Sequence, residues 1–357
     1  MTGVDQLVVS ASTRDAVTTA ALNAQEILCE VGPSQVLAGN VHGELAGRVR
    51  RIGRACALID ETAPLILHGS IGDDEVFSYL GGRTGPLVLQ YHNITPPKFF
   101  ETFDPAFGRL LALGRHQLAR FQHSVAGAFA DSEYNAADLE ALGYDDVRVV
   151  PLIIHTDRLR ELRVSEPVTA HLRTVVTGPL ILCVAQLLPH KRVDLILQAY
   201  HLLVTHHLPE AHLVIVGAQR HQRYAENIVA LAQDLRLPRC WLAGEVEDEV
   251  LAGLYDRADV LVVASEHEGV CVPLVEAMAF GLPIVARGNA AIPETLGGAG
   301  LLLEGGAGPL LLAEALLAVL TDGRLRAELG RRSSDRLAAF DPQLAKAALL
   351  TNLASVL

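Results

Sequence analysis

The sequence predicts an α/β protein made of two doubly wound domains, each built around a parallel sheet. Short apolar runs rich in β-branched residues alternate with helical segments along the chain, and this alternation is typical of parallel strands connected by helices. The 357 residues are too many for one core of ordinary size and suit two domains. Because 50% of the residues are hydrophobic and 20% are charged, the composition is that of a globular protein.

The predicted strands fall into two groups. They lie near residues 6–10, 35–38, 64–67, 86–91, 125–130 and 147–150 in the first half, and near residues 180–185, 212–216, 240–243, 260–264, 283–286 and 300–303 in the second half. Between residues 151 and 178 the apolar runs give way to charged sequence. We therefore predict a first domain over residues 1–165 and a second over residues 166–340, followed by a helix at residues 341–357.

The segment from residue 260 to residue 281 predicts an anion-binding site. An apolar strand at residues 260–264 is followed by a loop and a helix, since Pro273 suits a first helical position and Gly281 ends the helical pattern. We expect the backbone N–H groups of Leu274 and Val275 to point out of the helix start. This start lies at the carboxyl edge of a parallel sheet, where α/β proteins bind phosphates.

Two carboxylates flank this predicted anion site. Glu268 precedes the helix and Glu276 lies within it. Carboxylates are poorly suited to hold phosphate, but they accept hydrogen bonds from sugar hydroxyls. The combination indicates a nucleotide-sugar, with one carboxylate for a hexose and one for a ribose. The alternative is that Glu268 caps a loop and Glu276 is a solvated helix residue.

Glu268 and Glu276, with seven residues between them, resemble the glutamate-x7-glutamate motif of retaining glycosyltransferases of family 4 (group 1). The similarity runs from Leu180 to Gly300, and the chain resembles bacterial polysaccharide and lipopolysaccharide mannosyltransferase-like members. It implies the GT-B architecture, in which two Rossmann-like domains face each other across a cleft and the last helix crosses back onto the first domain. The sequence has no Asp-x-Asp motif after a strand, which fits the metal-independent chemistry of that architecture.

The resemblance implies roles for residues of the second half. Lys191 would neutralise the leaving diphosphate, Glu268 would be the catalytic group on the sugar, and Glu276 would hold the ribose. Relatives carry an arginine five positions before the lysine, but this chain has Gln186 there. One cation is therefore missing. Arg192 is a candidate to supply it; the alternative is that the site relies on Lys191 and the helix start at Leu274. The other residues expected around the donor are Gly269, Val270, Cys271, Leu274 and Val275.

Polar residues of the first half are expected to meet the sugar and the acceptor. His92 ends a predicted strand in the string His-Asn-Ile-Thr-Pro, and its position resembles that of a family histidine that approaches the transferred sugar. We interpret it as a catalytic residue; the alternative is a hydrogen-bonded structural histidine. Asp15, His68 and Asn93 are placed on the acceptor side.

Composition and charge exclude several functions. A net charge of −12 argues against nucleic acid as a partner, because phosphate-backbone binding needs clustered Lys and Arg. The five cysteines have no C-x-x-C spacing, so we predict neither a disulfide framework nor a metal site, and no cofactor. Without an export signal or an apolar stretch of membrane-spanning length, we expect a cytoplasmic protein with at most peripheral membrane contact. The basic segment at residues 108–123 could make that contact, but the acidic balance around it favours the alternative of a solvated helix face.

The sequence thus predicts a retaining glycosyltransferase that moves a hexosyl group from a UDP- or GDP-sugar to an acceptor hydroxyl. The acceptor is a sugar, a lipid-linked molecule or a small molecule, in the synthesis of a glycan, a glycolipid or a glycosylated metabolite. One alternative is another GT-B-type enzyme, either a nucleotide-sugar epimerase or a phosphorylase. A second is a non-catalytic sugar-nucleotide-binding partner, which the neutral Gln186 favours.

Overall fold

The computed structural model describes residues 3–53, 60–162 and 166–357. Over these residues the chain forms two compact units. The first unit comprises the described residues up to Glu101, then Pro105–Ile154 and Asp341–Leu357; the second comprises Thr102–Asp104 and the described residues from His155 to Phe340. The boundary drawn from the sequence at residue 165 lies outside the described residues, and the chain passes to the second unit earlier, after Ile154.

Parallel strands and connecting helices alternate in the first unit. Its elements are β1 (Asp5–Ala11), α1 (Ala16–Val31), β2 (Val36–Val41), β3 (Val49–Arg51), β4 (Leu65–Gly69), α2 (Asp74–Gly81), β5 (Leu87–Tyr91), α3 (Pro105–Phe121), β6 (Gly127–Ala130), α4 (Glu133–Ala141), β7 (Val147–Val149) and, at the end of the chain, α14 (Pro342–Val356). Short 3₁₀ turns lie at Gly43–Gly47, Pro97–Phe99 and Gln122–Ser124.

The second unit has the same alternation. Its elements are α5 (Thr156–Leu162), α6 (Glu166–Val175), β8 (Leu180–Val184), α7 (Val193–His206), β9 (His212–Val216), α8 (Gln222–Asp234), β10 (Cys240–Gly244), α9 (Asp248–Arg257), β11 (Val260–Val263), α10 (Val272–Ala279), β12 (Ile284–Gly288), α11 (Ile292–Leu296), β13 (Leu301–Glu304), α12 (Pro309–Thr321) and α13 (Gly323–Arg336). Its 3₁₀ turns lie at Pro189–Lys191 and Leu337–Phe340.

Each unit has one parallel sheet among its described residues. The strand order is β3-β2-β1-β4-β5-β6-β7 in the first and β10-β9-β8-β11-β12-β13 in the second. In the first sheet, strands β2 and β3 are added on one side of β1 and strands β4 to β7 on the other, so the strand order switches between β1 and β4. The same switch occurs between β8 and β11 in the second sheet. Ligands of doubly wound proteins bind at the carboxyl ends of the strands beside such a switch point.

The two predicted doubly wound sheets are confirmed, and every predicted strand overlaps an observed one. The central strands are covered by helices on both faces, so their apolar residues form continuous runs. In β11, Val260 to Val263 are all buried. The sequence did not predict β3, because a three-residue edge strand with two arginines carries no apolar pattern.

The last helix, α14, packs on the first unit. Its buried residues Ala345, Leu349 and Leu353 join a cluster that contains Leu28 of α1 and Phe129 of β6. An exposed ion pair with α1, between Lys346 Nζ and Glu30 Oε2 at 2.5 Å, adds to this contact. The end of the chain is thereby fixed to the first unit by burial of apolar side chains.

No helix formed by the described residues is long and apolar enough to cross a membrane. The four cysteines within the described ranges are free, and Cys56 lies outside them.

Candidate active site

Lys191 and Glu268 meet at the switch point of the second sheet. Lys191 ends the 3₁₀ turn that follows β8, and Glu268 lies in the loop that follows β11. Because β8 and β11 are paired parallel strands, both residues come from the carboxyl edge of the sheet. Lys191 Nζ is 2.7 Å from Glu268 Oε2, and the two side chains are only 17% and 11% exposed. Two residues that the sequence assigned to the donor therefore form an ion pair with each other.

Glu276 is held by a tyrosine that the sequence analysis did not identify. The hydroxyl of Tyr255, on α9, donates to Glu276 Oε2 over 2.7 Å. Desolvation of the carboxyl raises the pKa of Glu276, while the Tyr255 hydrogen bond lowers it. Tyr255 is itself buried, and its pKa is raised well above the usual value, so it acts as a hydrogen-bond donor. In the sequence, Tyr255 looked like an ordinary apolar position of a helix.

The start of α10 differs from the prediction. The helix begins at Val272, with Pro273 in its second position, and is preceded by Cys271 in the left-handed conformation with φ of 68°. The backbone N–H of Leu274 donates to the Cys271 carbonyl over 3.0 Å. The expectation that this N–H points outward to an anion is therefore wrong, because the tight first turn uses it. The side chains of Leu274 and Val275 are fully buried.

The loop between Glu268 and Glu276 is held by hydrogen bonds from the segment that connects β12 to β13. The Thr295 hydroxyl donates to the Val270 carbonyl, and the backbone N–H of Ala291 donates to the Glu268 carbonyl over 3.3 Å. Gly269 lies between these two anchored residues. Burial raises the pKa of the Cys271 thiol well above its usual value, so the thiol acts as a small packed side chain.

Arg192 forms ion pairs with two neighbouring carboxylates. It adopts the left-handed conformation with φ of 52°, and its guanidinium contacts Asp194 Oδ2 at 3.0 Å and Glu266 Oε1. These contacts raise the pKa of Arg192. Gln186, just after β8, is neutral, and its carbonyl accepts the N–H of Leu188 over 2.8 Å. Arg192 thus has two anionic partners already, which leaves the charge missing at Gln186 unreplaced in this arrangement.

His92 and His68 form a buried polar network at the switch point of the first sheet. His92 Nδ1 lies 2.7 Å from Asp131 Oδ2, and His92 Nε2 lies 2.7 Å from His68 Nδ1. His68 Nε2 continues the chain to Gln6 Oε1 at 2.9 Å, and Gln90 donates to the other Asp131 oxygen over 2.5 Å. Burial, followed by the proximity of His92, lowers the pKa of His68 well below its usual value.

Both ring nitrogens of His92 are therefore occupied inside the first unit, and its side chain is 5% exposed. Such an arrangement fixes the orientation of the His92 ring. The contact of Asp131 with His92 was not predicted from the sequence. The position of Asp131 directly after β6, in line with the ends of β4 and β5, was the available indication.

The remaining acceptor-side residues have local partners. Asp15 caps α1 by accepting the backbone N–H and the hydroxyl of Thr18, each over 2.8 Å. Asn93, with φ of 76°, donates to Asn135 Oδ1 over 2.7 Å and is buried. Asp15 and Asn93 thus have structural roles at their strand ends, and their contact with an acceptor stays a prediction.

Residues 169–336 match the family model described as glycosyl transferases group 1. The D-inositol 3-phosphate glycosyltransferase of Corynebacterium jeikeium is 31% identical over 222 residues, which are 58% of this chain and 52% of that protein. The GDP-mannose-dependent monoacylated alpha-(1-6)-phosphatidylinositol monomannoside mannosyltransferase of Corynebacterium glutamicum is 29% identical over 43% of this chain and 41% of that protein. The chain spans about half the length of these curated relatives, or less.

The fold is shared over nearly the whole chain with solved structures. The crystal structure of Anabaena Alr3699/HepE in complex with UDP and glucose has a TM-score of 0.78 and covers 99% of both chains, at 14% identity. Likeness at this level of identity concerns the fold. Over residues 169–336 the chain is therefore similar to the group 1 glycosyl transferases, and the chain has the GT-B fold.

Proposed function

We propose that the protein is a retaining, metal-independent hexosyltransferase of the family 4 type, with a UDP- or GDP-sugar as its donor. The contact between Lys191 and Glu268 carries the proposal. It brings one cation and one carboxylate together at the switch point of the second sheet, as a diphosphate joined to a sugar requires. The UDP bound to Alr3699/HepE and the GDP-mannose in the name of the C. glutamicum relative support these two nucleotides.

In the proposed reaction, the residues of the second unit act by position and charge. Lys191 stabilises the leaving diphosphate as a point charge. Glu268 accepts hydrogen bonds from the hexose hydroxyls and stabilises the positive charge that develops on the sugar. Glu276 accepts hydrogen bonds from the ribose. The acceptor hydroxyl attacks on the face from which the diphosphate departs, which retains the configuration of the anomeric carbon.

The first unit is proposed to serve the acceptor. His92, whose ring is fixed by Asp131 and His68, lies beside the switch point of the first sheet. We infer that it acts near the transferred sugar, and that His68, Asn93 and Asp15 lie on the acceptor side. The acceptor class, whether a sugar, a lipid-linked molecule or a small molecule, stays a prediction, as do peripheral membrane contact and a cytoplasmic location.

The test is donor turnover by the purified chain. A panel of UDP- and GDP-hexoses is screened by thermal shift, and nucleoside diphosphate release is then measured with and without acceptor hydroxyl compounds. Glu268→Gln should lower turnover far more than donor affinity, since its charge matters most in the transition state, whereas Glu276→Ala should mainly weaken binding. Full turnover in Glu268→Gln would contradict the proposal. An epimerised sugar formed from donor alone would favour the epimerase.

A further inference from the structure

The ion pair of Lys191 and Glu268 joins the two halves of the proposed donor site. Its 2.7 Å contact is mostly shielded from water. Charged groups removed from water depend on their partners, and breaking such a pair from one side leaves the other charge uncompensated. Any ligand that recruits Lys191 must therefore also change the surroundings of Glu268.

Three of the groups considered for the diphosphate are neutral or engaged. Gln186 carries no charge, Arg192 is held by Asp194 and Glu266, and the Leu274 N–H is used by the Cys271 carbonyl. Because Arg192 is engaged, Lys191 is the cation of the predicted donor residues that a diphosphate can recruit. Its flexible stem allows the ammonium to move by a few ångströms from a carboxylate to a phosphate.

An intact nucleotide-sugar and its nucleoside diphosphate then differ in what they offer Glu268. Both ligands draw Lys191 to their phosphates. Only the nucleotide-sugar also brings hexose hydroxyls, which can donate to the released carboxylate and replace the lost partner. With the nucleoside diphosphate alone, Glu268 stays poorly solvated and without its cation.

We propose that the Lys191–Glu268 pair makes the donor site discriminate against the nucleoside diphosphate and in favour of the intact nucleotide-sugar. The inference rests on the proposed function, because it places a diphosphate on Lys191 and a hexose on Glu268. After transfer of the hexose, Glu268 competes with the diphosphate for Lys191. The pair thereby promotes release of the product.

Calorimetric titration of four ligands, UDP, GDP, UDP-glucose and GDP-mannose, tests this discrimination. Glu268→Gln keeps the size of the side chain and removes the charge that competes for Lys191. For the nucleotide that the wild type binds, the variant should bind the nucleoside diphosphate about tenfold more tightly. Its affinity for the matching nucleotide-sugar should change by less than about threefold, because the hydroxyls already compensate Glu268 in the wild type.

Two controls separate the pair from general charge effects. Glu266→Gln removes a carboxylate from the same loop, but its partners are Arg192 and Arg287, so nucleoside diphosphate affinity should change by less than about threefold. In a Lys191→Gln background, Glu268→Gln should give no gain, since no cation remains to be released.

The possible outcomes distinguish a failure of this inference from a failure of the proposed function on which it rests. A wild-type protein that binds none of the four ligands contradicts the proposed function, and the inference fails with it. Binding by the wild type, together with an unchanged nucleoside diphosphate affinity in Glu268→Gln, refutes the inference alone. An equal gain in Glu266→Gln would mean that the effect is not specific to the Lys191–Glu268 pair, and a gain that persists without Lys191 would mean that Glu268 simply repels phosphate. Either result would also refute the inference.

Discussion

We expect the hydrogen bond from Tyr255 to Glu276 to stabilise the folded protein, and to do so to an extent that depends on pH. Tyr255 is 1% exposed, and its hydroxyl donates over 2.7 Å. Tyr255→Phe removes this oxygen but keeps the ring, which stacks on Phe280 with centroids 5.5 Å apart. At neutral pH we expect the free energy of unfolding to fall by about 1.5 to 3 kcal/mol, the usual contribution of a hydrogen bond to a charged group.

The loss should depend on pH, because Glu276 titrates. Burial raises its pKa from the reference value of 4.5, and the Tyr255 hydrogen bond opposes that rise. Without the bond the pKa rises further. A carboxyl whose pKa is raised on folding stabilises the folded state below its unfolded pKa, and this contribution is lost as the pH rises through the folded pKa. The difference between wild type and Tyr255→Phe should therefore be small near the reference pKa and largest at neutral pH.

Tyr200→Phe is the matched control in the same unit. Tyr200 is also fully buried, but its hydroxyl donates to the backbone carbonyls of Ala211, at 2.8 Å, and Pro238, at 2.6 Å. Carbonyls do not titrate, so the stability lost in this variant should be the same at each pH. Urea unfolding followed by circular dichroism, from about pH 4.5 to 7.5, measures both differences. A loss in Tyr255→Phe that is equally independent of pH would refute the reasoning.

Three further predictions concern metal, acid and the last helix. Donor turnover should persist in excess EDTA, because a lysine takes the role of a bound cation; activity lost in EDTA and restored by manganese would contradict this. His212 has two buried ring nitrogens without a hydrogen-bond partner among the described residues, and burial lowers its pKa, so acid below about pH 6.5 should destabilise the fold. His212→Phe keeps the stacking on Trp241 and should raise the melting temperature, more at acid than at neutral pH; an equal or lower melting temperature would count against this. Leu353→Ala should cost about 2 to 5 kcal/mol in chemical unfolding, and Leu344→Ala, on the exposed side of the same helix, less than about 0.5; equal costs would mean that α14 does not stabilise the first unit.

The strands were predictable because burial on both faces leaves a continuous apolar run. Residues 260–264 show this most clearly, since the observed β11 lies entirely within them. The edge strand β3 contains two exposed arginines and little apolar sequence, so pairing with β2 defines it, and such pairing leaves no local pattern. Lys191 and Glu268 follow β8 and β11, and the pairing of these two strands brings both residues to one edge of the sheet.

The partners of these residues could not be predicted in the same way. Whether Arg192 faces a phosphate or a carboxylate depends on its left-handed backbone and on Glu266, 74 residues away. The contact of Tyr255 with Glu276 depends on how α9 packs beside α10. The backbone N–H of Leu274 is taken up by the Cys271 carbonyl because the chain turns tightly at Cys271. This residue has a positive φ, a conformation in which glycine is usual. Each is a tertiary or conformational detail that leaves the apolar pattern unchanged.

The two glutamates of the proposed donor site are compensated in different ways, and this decides what each can do. Each has its Oε2 atom engaged, Glu268 by Lys191 and Glu276 by Tyr255. The tyrosine is buried and neutral, so a phosphate cannot recruit it, and Glu276 keeps the same partner with or without a ligand. The lysine is charged and flexible, so a diphosphate can draw it away. Perturbing Glu276 should therefore change the affinity for all nucleotides together, whereas perturbing Glu268 should change the difference between donor and product.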